Sequence, residues 1–225
     1  MSHKVRIHPT AIIEKDVVLG AETAVWDSVH IRCGAQLGEQ CIVGEKTYIA
    51  YDVQIGSRVK INAMVYICYG VTLEDGVMVS AGTIFTNDQF PRAATPDLRQ
   101  LRSSDPDDQC RTTRVREGAT IGAGCVIGNG LCIGRFAMVG MGSVVTRSVA
   151  DFHLVLGNPA RSVGCVCRCG QPLRKWAPDE PAAPLSATCD RCARAYRIVN
   201  RVVTELPEAG KAVVNTASKQ DGKAL

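Results

Sequence analysis

The stretch "IGAGCVIGNGLCIGRFAMVG", residues 121–140, carries an aliphatic residue at every sixth position: Ile121, Ile127, Ile133 and Val139. Neither the 3.6-residue period of a helix nor the two-residue period of a strand produces that spacing. Followed outward, the series starts at Ile7 and runs by sixes through Ile13, Leu19, Val25 and Ile31 to Val79 without a miss. It resumes at Val115 and continues to Val145. The fifth place of each hexad is small or β-branched, as in Ala11, Val17, Thr23, Val29 and Ala35, and glycine often follows the key residue, as in Gly20, Gly38 and Gly122.

A short strand with two inward side chains, followed by a tight corner, accounts for such a hexad. Three hexads close a triangular coil, with glycine and polar residues at corners that need unusual backbone angles. Stacked coils pair as parallel strands and share one narrow aliphatic core, so stability comes from neighbouring coils. Nineteen hexads predict an all-β parallel β-helix of about six coils, in preference to a β-sandwich with coincidental spacing. The composition agrees: 46% of the 225 residues are hydrophobic but only 5% are aromatic.

Residues 86–114, "TNDQFPRAATPDLRQLRSSDPDDQCRTTR", interrupt the series without changing its phase, which marks a loop insertion projecting from the stack. A loop of that length in a compact domain is usually functional or disordered. The hexads end after Ala150, and "GNPAR", residues 157–161, reads as a turn leaving the prism. The expected organisation is a β-helix domain over 5–163, a small module over 164–200 and a disordered tail over 207–225.

The net charge of +4 comes from 26 basic and 22 acidic residues mixed along the chain, which argues against nucleic-acid binding. No apolar run reaches the ~20 residues needed to cross a bilayer, so no membrane insertion is expected. The N-terminus lacks a signal-peptide hydrophobic region, and a soluble, cytoplasmic protein is the expectation. In that setting the 11 cysteines are not a disulfide framework. Six are scattered and read as small apolar residues. Cys167 and Cys169, then Cys189 and Cys192, form two knuckles 19 residues apart, the spacing of a zinc-ribbon-like module with Zn2+ in a closed, structural site. Cys165 is an alternative ligand in the first knuckle. Four histidines, His3, His8, His30 and His153, offer no spacing that gathers three around a catalytic metal.

The hexads resemble the left-handed parallel β-helix of hexapeptide-repeat acyltransferases. Outside them, "HPTAIIEKDVVLG", "VKINAMVYICYGVTLEDGV", "FTNDQFPRA", "GATIGAGCVIG", "GSVVTRSV" and "LGNPARSVG" resemble bacterial nucleotide-sugar N-acetyltransferases. The resemblance implies transfer of acetyl from acetyl-CoA to the 3-amino group of a UDP- or dTDP-linked aminodeoxysugar, in a homotrimer with its site between subunits. It places Asn87 on the acceptor amine, with Asp88 as the nearest carboxylate to take a proton. It places Arg92 at the substrate loop and His30 on an early coil near the sugar nucleotide. Arg147 and Arg161 match positions that meet the phosphates of coenzyme A. Ala123 and Met141, 18 residues apart, match backbone positions along its pantetheine arm. Met64 and Ala81 stand where the dTDP-sugar branch has histidines, and Ala63 and Met64 where the UDP-uronate branch has asparagines, which implies an apolar pocket. The competing expectations are a trimeric scaffold without activity and an acyltransferase with a different acyl donor or acceptor.

Overall fold

The computed structural model describes residues 4–107, 109–177 and 184–207. Among them, twenty strands of two or three residues between Arg6 and Val145 stack into three flat walls of seven, seven and six. Within each run of hexads the parallel pairings advance by 18 residues, three hexads, as in Lys60↔Met78 on the first wall, His30↔Tyr48 on the second and Gln36↔Gln54 on the third; across the insertion they advance by 42, as in Met78↔Thr120. The ladder bonds are uniform: Lys60 N–H donates to Val77 O and Asn62 N–H to Val79 O, at 2.9 and 2.8 Å.

The interior is one aliphatic column. Val29 and Ile31, Val53 and Ile55, and Ala119 and Ile121 are all buried, and the residue between each two faces outward. Fifth-place side chains with a hydrogen to give do a second job. Thr23, Thr47, Cys41 and Cys125 each donate to a corner carbonyl 15 residues on, at 2.9, 3.0, 3.1 and 3.2 Å. Buried carbonyls need such partners. This places Cys41 and Cys125 in the core as small donors.

Phe85 occupies a hexad key position that a search for aliphatics skips. It is buried in the strand Ile84–Phe85, which pairs with Val126–Ile127. The stack is therefore closer to seven coils than to six. Re-entry also comes earlier than 115, because the strand Thr113–Val115 pairs with Val71–Leu73 over three residues. Phe85→Ala is expected to lower unfolding stability by about 3 kcal/mol, the range of a buried ring truncation. Phe85→Ile, restoring the residue of other hexads, should cost less than about 1.5 kcal/mol. Equal losses in denaturant titrations would show that this position is not an ordinary core rung.

Below the last coil the strand His153–Gly157 extends the first wall in parallel, then turns through a cis Asn158–Pro159 bond into Ala160–Val166, which returns antiparallel. That return strand runs through the expected 163/164 boundary and pairs with Pro172–Lys175, so the wall continues into the cysteine module. Leu185–Thr188, Ala195–Val199 and Val202–Glu205 form an antiparallel sheet beyond it. Phe136 stacks on Phe152, and Phe152 meets Tyr196 edge-on, each pair with ring centres 5.6 Å apart, which joins a second core to the end of the solenoid. The expected disordered tail falls, apart from Pro207, outside the described residues, as do residues 178–183 of the proline-rich stretch.

Candidate active site

The inserted loop leaves after Phe85 and closes on itself through a narrow neck. Gln89 N–H donates to Gln109 O at 3.3 Å, Arg111 N–H donates to Asn87 O at 2.9 Å, and Asp88 pairs antiparallel with Cys110. Between the neck and the corner that joins the second and third walls lies a cavity of about 310 Å3. Asn87, Asp88 and Arg92 line it from the loop. Tyr48, Tyr66 and Tyr69 line it from the coils. The structure thus gathers the three loop residues expected at the acceptor. Arg92 is exposed, its Nη1 donating to Pro91 O at 2.9 Å.

The tyrosine wall went unread in the sequence. Tyr48 and Tyr66 occupy the outward place of two hexads on the second wall and stack at 5.2 Å, and Tyr51 and Tyr69 sit at the corner 5.1 Å apart. Both pairs have the 18-residue spacing of vertical neighbours, so the repeat itself held the signal. Burial pushes the Tyr66 hydroxyl up from its ordinary pKa and the Cys68 thiol up to about 12, which leaves Cys68 a poor nucleophile.

His30 stands one coil above Tyr48 on the same wall, edge-on to its ring at 5.5 Å. It adjoins the cavity through that ring and does not line it. Its Nε2 is 2.8 Å from Glu14 Oε1, and Arg32 Nε is 2.7 Å from the same oxygen. Arg32 Nη1 donates to the Tyr48 hydroxyl at 2.8 Å. The hydrogen bond from His30 holds the Glu14 carboxyl below its usual range. Glu14 and Arg32 therefore fix the orientation of His30 and Tyr48.

Of the residues expected along coenzyme A, Ala123 and Met141 lie at the other edge of the second wall. Ala81, Ala123 and Met141 form a column at its corner with the first wall, joined by Gly124 N–H to Ala81 O at 2.9 Å and Gly142 N–H to Ala123 O at 2.8 Å. Small side chains leave the backbone of that column open, although Met141 itself projects and is 83% exposed. The tip of the terminal hairpin comes under the same corner, with Gly157 N–H donating to Ser143 Oγ at 3.1 Å. Arg161 sits in that hairpin opposite Leu156, exposed. Arg147 is exposed just past the strand Val144–Val145 at the end of the second wall, away from this corner. One chain thus carries the loop cavity and the alanine column on opposite edges of one wall and does not bring them together.

The cysteine cluster is compact. The Sγ atoms of Cys167, Cys169, Cys189 and Cys192 all lie within 4.8 Å of one another. Cys167 and Cys192 are 3.4 Å apart and Cys169 and Cys189 3.6 Å. Sulfurs ~2.3 Å from a tetrahedral zinc are about 3.8 Å from each other, so the donor set and its size fit that ion. Backbone N–H groups of Cys192 and Arg191 lower the Cys189 thiol to about 7. Cys165 is buried outside the cluster, opposite Arg174 in the strand pairing.

Comparison with known proteins agrees with this geometry. A model of the hexapeptide repeat of succinyl-transferase matches residues 10–50 and 52–87. A dTDP-3-amino-3,6-dideoxy-alpha-D-galactopyranose 3-N-acetyltransferase of Aneurinibacillus thermoaerophilus is 44% identical over 94 residues, 42% of this chain and 45% of that protein. Serine acetyltransferase of Escherichia coli K12 is 44% identical over 54 residues, 24% of this chain and 20% of the enzyme. The chain spans less than half the length of these curated relatives in the aligned regions. Among solved structures, AntD, an N-acyltransferase from Bacillus cereus in complex with dTDP and 3-hydroxybutyryl-CoA, superposes with a TM-score of 0.50 at 20% identity. That likeness covers 75% of this chain and 84% of AntD. With three walls of stacked parallel coils, the fold is the left-handed parallel β-helix.

Proposed function

We propose that this protein is an acyl-CoA-dependent N-acyltransferase that moves an acetyl group from acetyl-CoA to the amine, at C3, of a nucleotide-linked aminodeoxysugar. The observation that carries this reading is the loop cavity, which presents Asn87 and Asp88 beside aromatic coils in a chain 44% identical over 94 residues to a dTDP-3-amino-sugar 3-N-acetyltransferase.

The chemistry is direct transfer. The neutral amine attacks the thioester carbonyl, a C–N bond forms, the C–S bond breaks, and the amine proton leaves. The Asn87 amide oxygen accepts a hydrogen bond from the amine and aims its lone pair at the carbonyl. Asp88 takes the proton directly or through one water. Its Oδ1 already receives the Cys110 thiol at 3.4 Å, so Oδ2 is the oxygen left for that role. Holding both reactants in line supplies several kcal/mol of the barrier reduction. Arg92 and His30 hold the sugar nucleotide, His30 through its contact with Tyr48. On the donor side the backbone at Ala123 and Met141 lines the pantetheine arm and Arg161 meets the phosphates, with Arg147, at the opposite edge of the wall, reaching them from the neighbouring chain.

The opposite placement of cavity and column supports a homotrimer. If flat walls pack around a threefold axis, the loop of one chain covers the alanine column of the next. The exposed Ile12 and Ile84 of the second wall supply apolar surface for that packing. Cys167, Cys169, Cys189 and Cys192 would hold a structural Zn2+, which closes the module and takes no part in transfer. No helix among the described residues is long and apolar enough to cross a membrane. We place the enzyme in the cytoplasm, beside its acyl-CoA donor.

Calorimetry with acetyl-CoA tests the reading against an inert scaffold. Saturable binding with a micromolar Kd, weakened at least tenfold by Arg161→Ala, is expected. No heat at millimolar ligand would favour the scaffold.

A further inference from the structure

At the loop neck, Asn87 and Asp88 take side-chain contacts from two residues with no role in the chemistry above. The Cys110 thiol lines the same cavity as Asn87 and Asp88. It donates to Asp88 Oδ1 at 3.4 Å, and Asn87 Nδ2 lies 4.0 Å from its sulfur. It thus meets both side chains. A second contact comes from the solenoid. Asn129, at the corner after the strand Val126–Ile127, donates from Nδ2 to the backbone oxygen of Asp88 at 2.6 Å, across 41 residues of sequence. The neck would otherwise hang on its own two strands. Asn129 pins it to the coil below Phe85.

We infer that Asn129 and Cys110 are positioning residues for the transfer, acting through Asn87 and Asp88. This rests on the proposed acyl-transfer reading. Asn129 fixes the height of the Asn87–Asp88 step above the coils, and Cys110 fixes the rotation of both side chains. Neither supplies the nucleophile or takes the substrate proton. A displacement of about 1 Å at reacting groups can cost 10²-fold in rate, so losing either contact acts on turnover more than on ligand affinity.

The test is steady-state acetyl transfer by the full chain with the acceptor that wild type uses, for Asn129→Leu, Cys110→Ala, Cys110→Ser and Gln89→Ala. Gln89 accepts from Arg111 Nε at 2.8 Å, so its variant removes a side-chain contact of the neck while leaving the Asn129 pin, the backbone bond from Gln89 N–H to Gln109 O and the Asn87 and Asp88 side chains in place. Expected are a 10- to 100-fold fall in kcat for Asn129→Leu and Cys110→Ala, with KM for both substrates within threefold of wild type. Cys110→Ser, which keeps a donor to Asp88, should recover to within threefold of wild-type kcat. Gln89→Ala should stay there too, and thermal melting should show all four folded. Wild-type kcat in Asn129→Leu and Cys110→Ala would overturn the positioning role while leaving the acyltransferase standing. A fall in Gln89→Ala equal to theirs, or no rescue by serine, would also overturn it. No transfer by wild type to any nucleotide-linked aminosugar would overturn the reading itself, and this inference with it.

Discussion

Asn87→Ala is expected to lower kcat about 10²-fold, the scale on which loss of one well-placed polar contact at a reacting centre acts. KM for acetyl-CoA should hardly move, because the proposed contact of Asn87 is with the acceptor amine, while the donor is proposed to lie along the backbone at Ala123 and Met141. The assembly should persist, since Asn87 belongs to the loop and not to the packed column of the solenoid. Sedimentation and steady-state kinetics on the same sample check all three. Unchanged kcat would remove Asn87 from the mechanism. A loss of assembly would make it a structural residue.

Removing zinc should have the second large effect, and a local one. The purified protein should carry about one zinc per chain, and a strong chelator or Cys189→Ser should release it. Structural zinc contributes on the order of 10 kcal/mol to small cysteine modules. The module's core holds Phe152, Cys167, Tyr196 and Ile198 and meets the end of the solenoid at Phe136, whereas the solenoid's own aliphatic core is a separate cluster. The β-signal of the solenoid should therefore survive while the module opens. Trp176 reports on this directly, since its indole donates to Ser162 Oγ at 2.8 Å and its ring meets His153 at 5.4 Å. In a Trp26→Phe background, the Trp176 emission should shift to the red on chelation. A metal-free sample with an unshifted spectrum would rule out a structural metal.

The solenoid was legible because its period is a steric requirement repeated at every coil. Ile31, Ile61 and Ile121 had to be aliphatic, and they are. Phe85 escaped because an aromatic fills the same inward position where the loop departs. The tyrosine wall escaped for a different reason. Tyr48 and Tyr66 point outward, where the hexad rule sets no residue type, and only the 18-residue stacking rule could have linked them. The cysteine knuckles were readable from spacing, but choosing Cys167 over Cys165 needed the chain's exit from the strand Ala160–Val166 into a tight turn, with Gly170 N–H bonded to Cys167 O at 2.8 Å.

The proposed acceptor side is legible only in part. Asn87, Asp88 and Arg92 follow one another along the loop, and they do share a cavity. Cys110 and Asn129 meet Asp88 across 22 and 41 residues, through a neck with no period to betray it. Ala123 and Met141 were placed correctly as vertical neighbours by spacing alone. What spacing could not say is that they occupy the far edge of the wall from the loop. That separation follows from which corner each hexad turns, and it makes a neighbouring subunit part of the proposed site.

The most direct measurement is release of free coenzyme A thiol when the purified chain meets acetyl-CoA and a panel of nucleotide-linked 3- and 4-aminosugars. The account predicts stoichiometric thiol release and an N-acetylated product with at least one 3-amino acceptor, and no release when the amine is replaced by hydroxyl. Thiol release that ignores the amine, or none with any member of the panel, would contradict it.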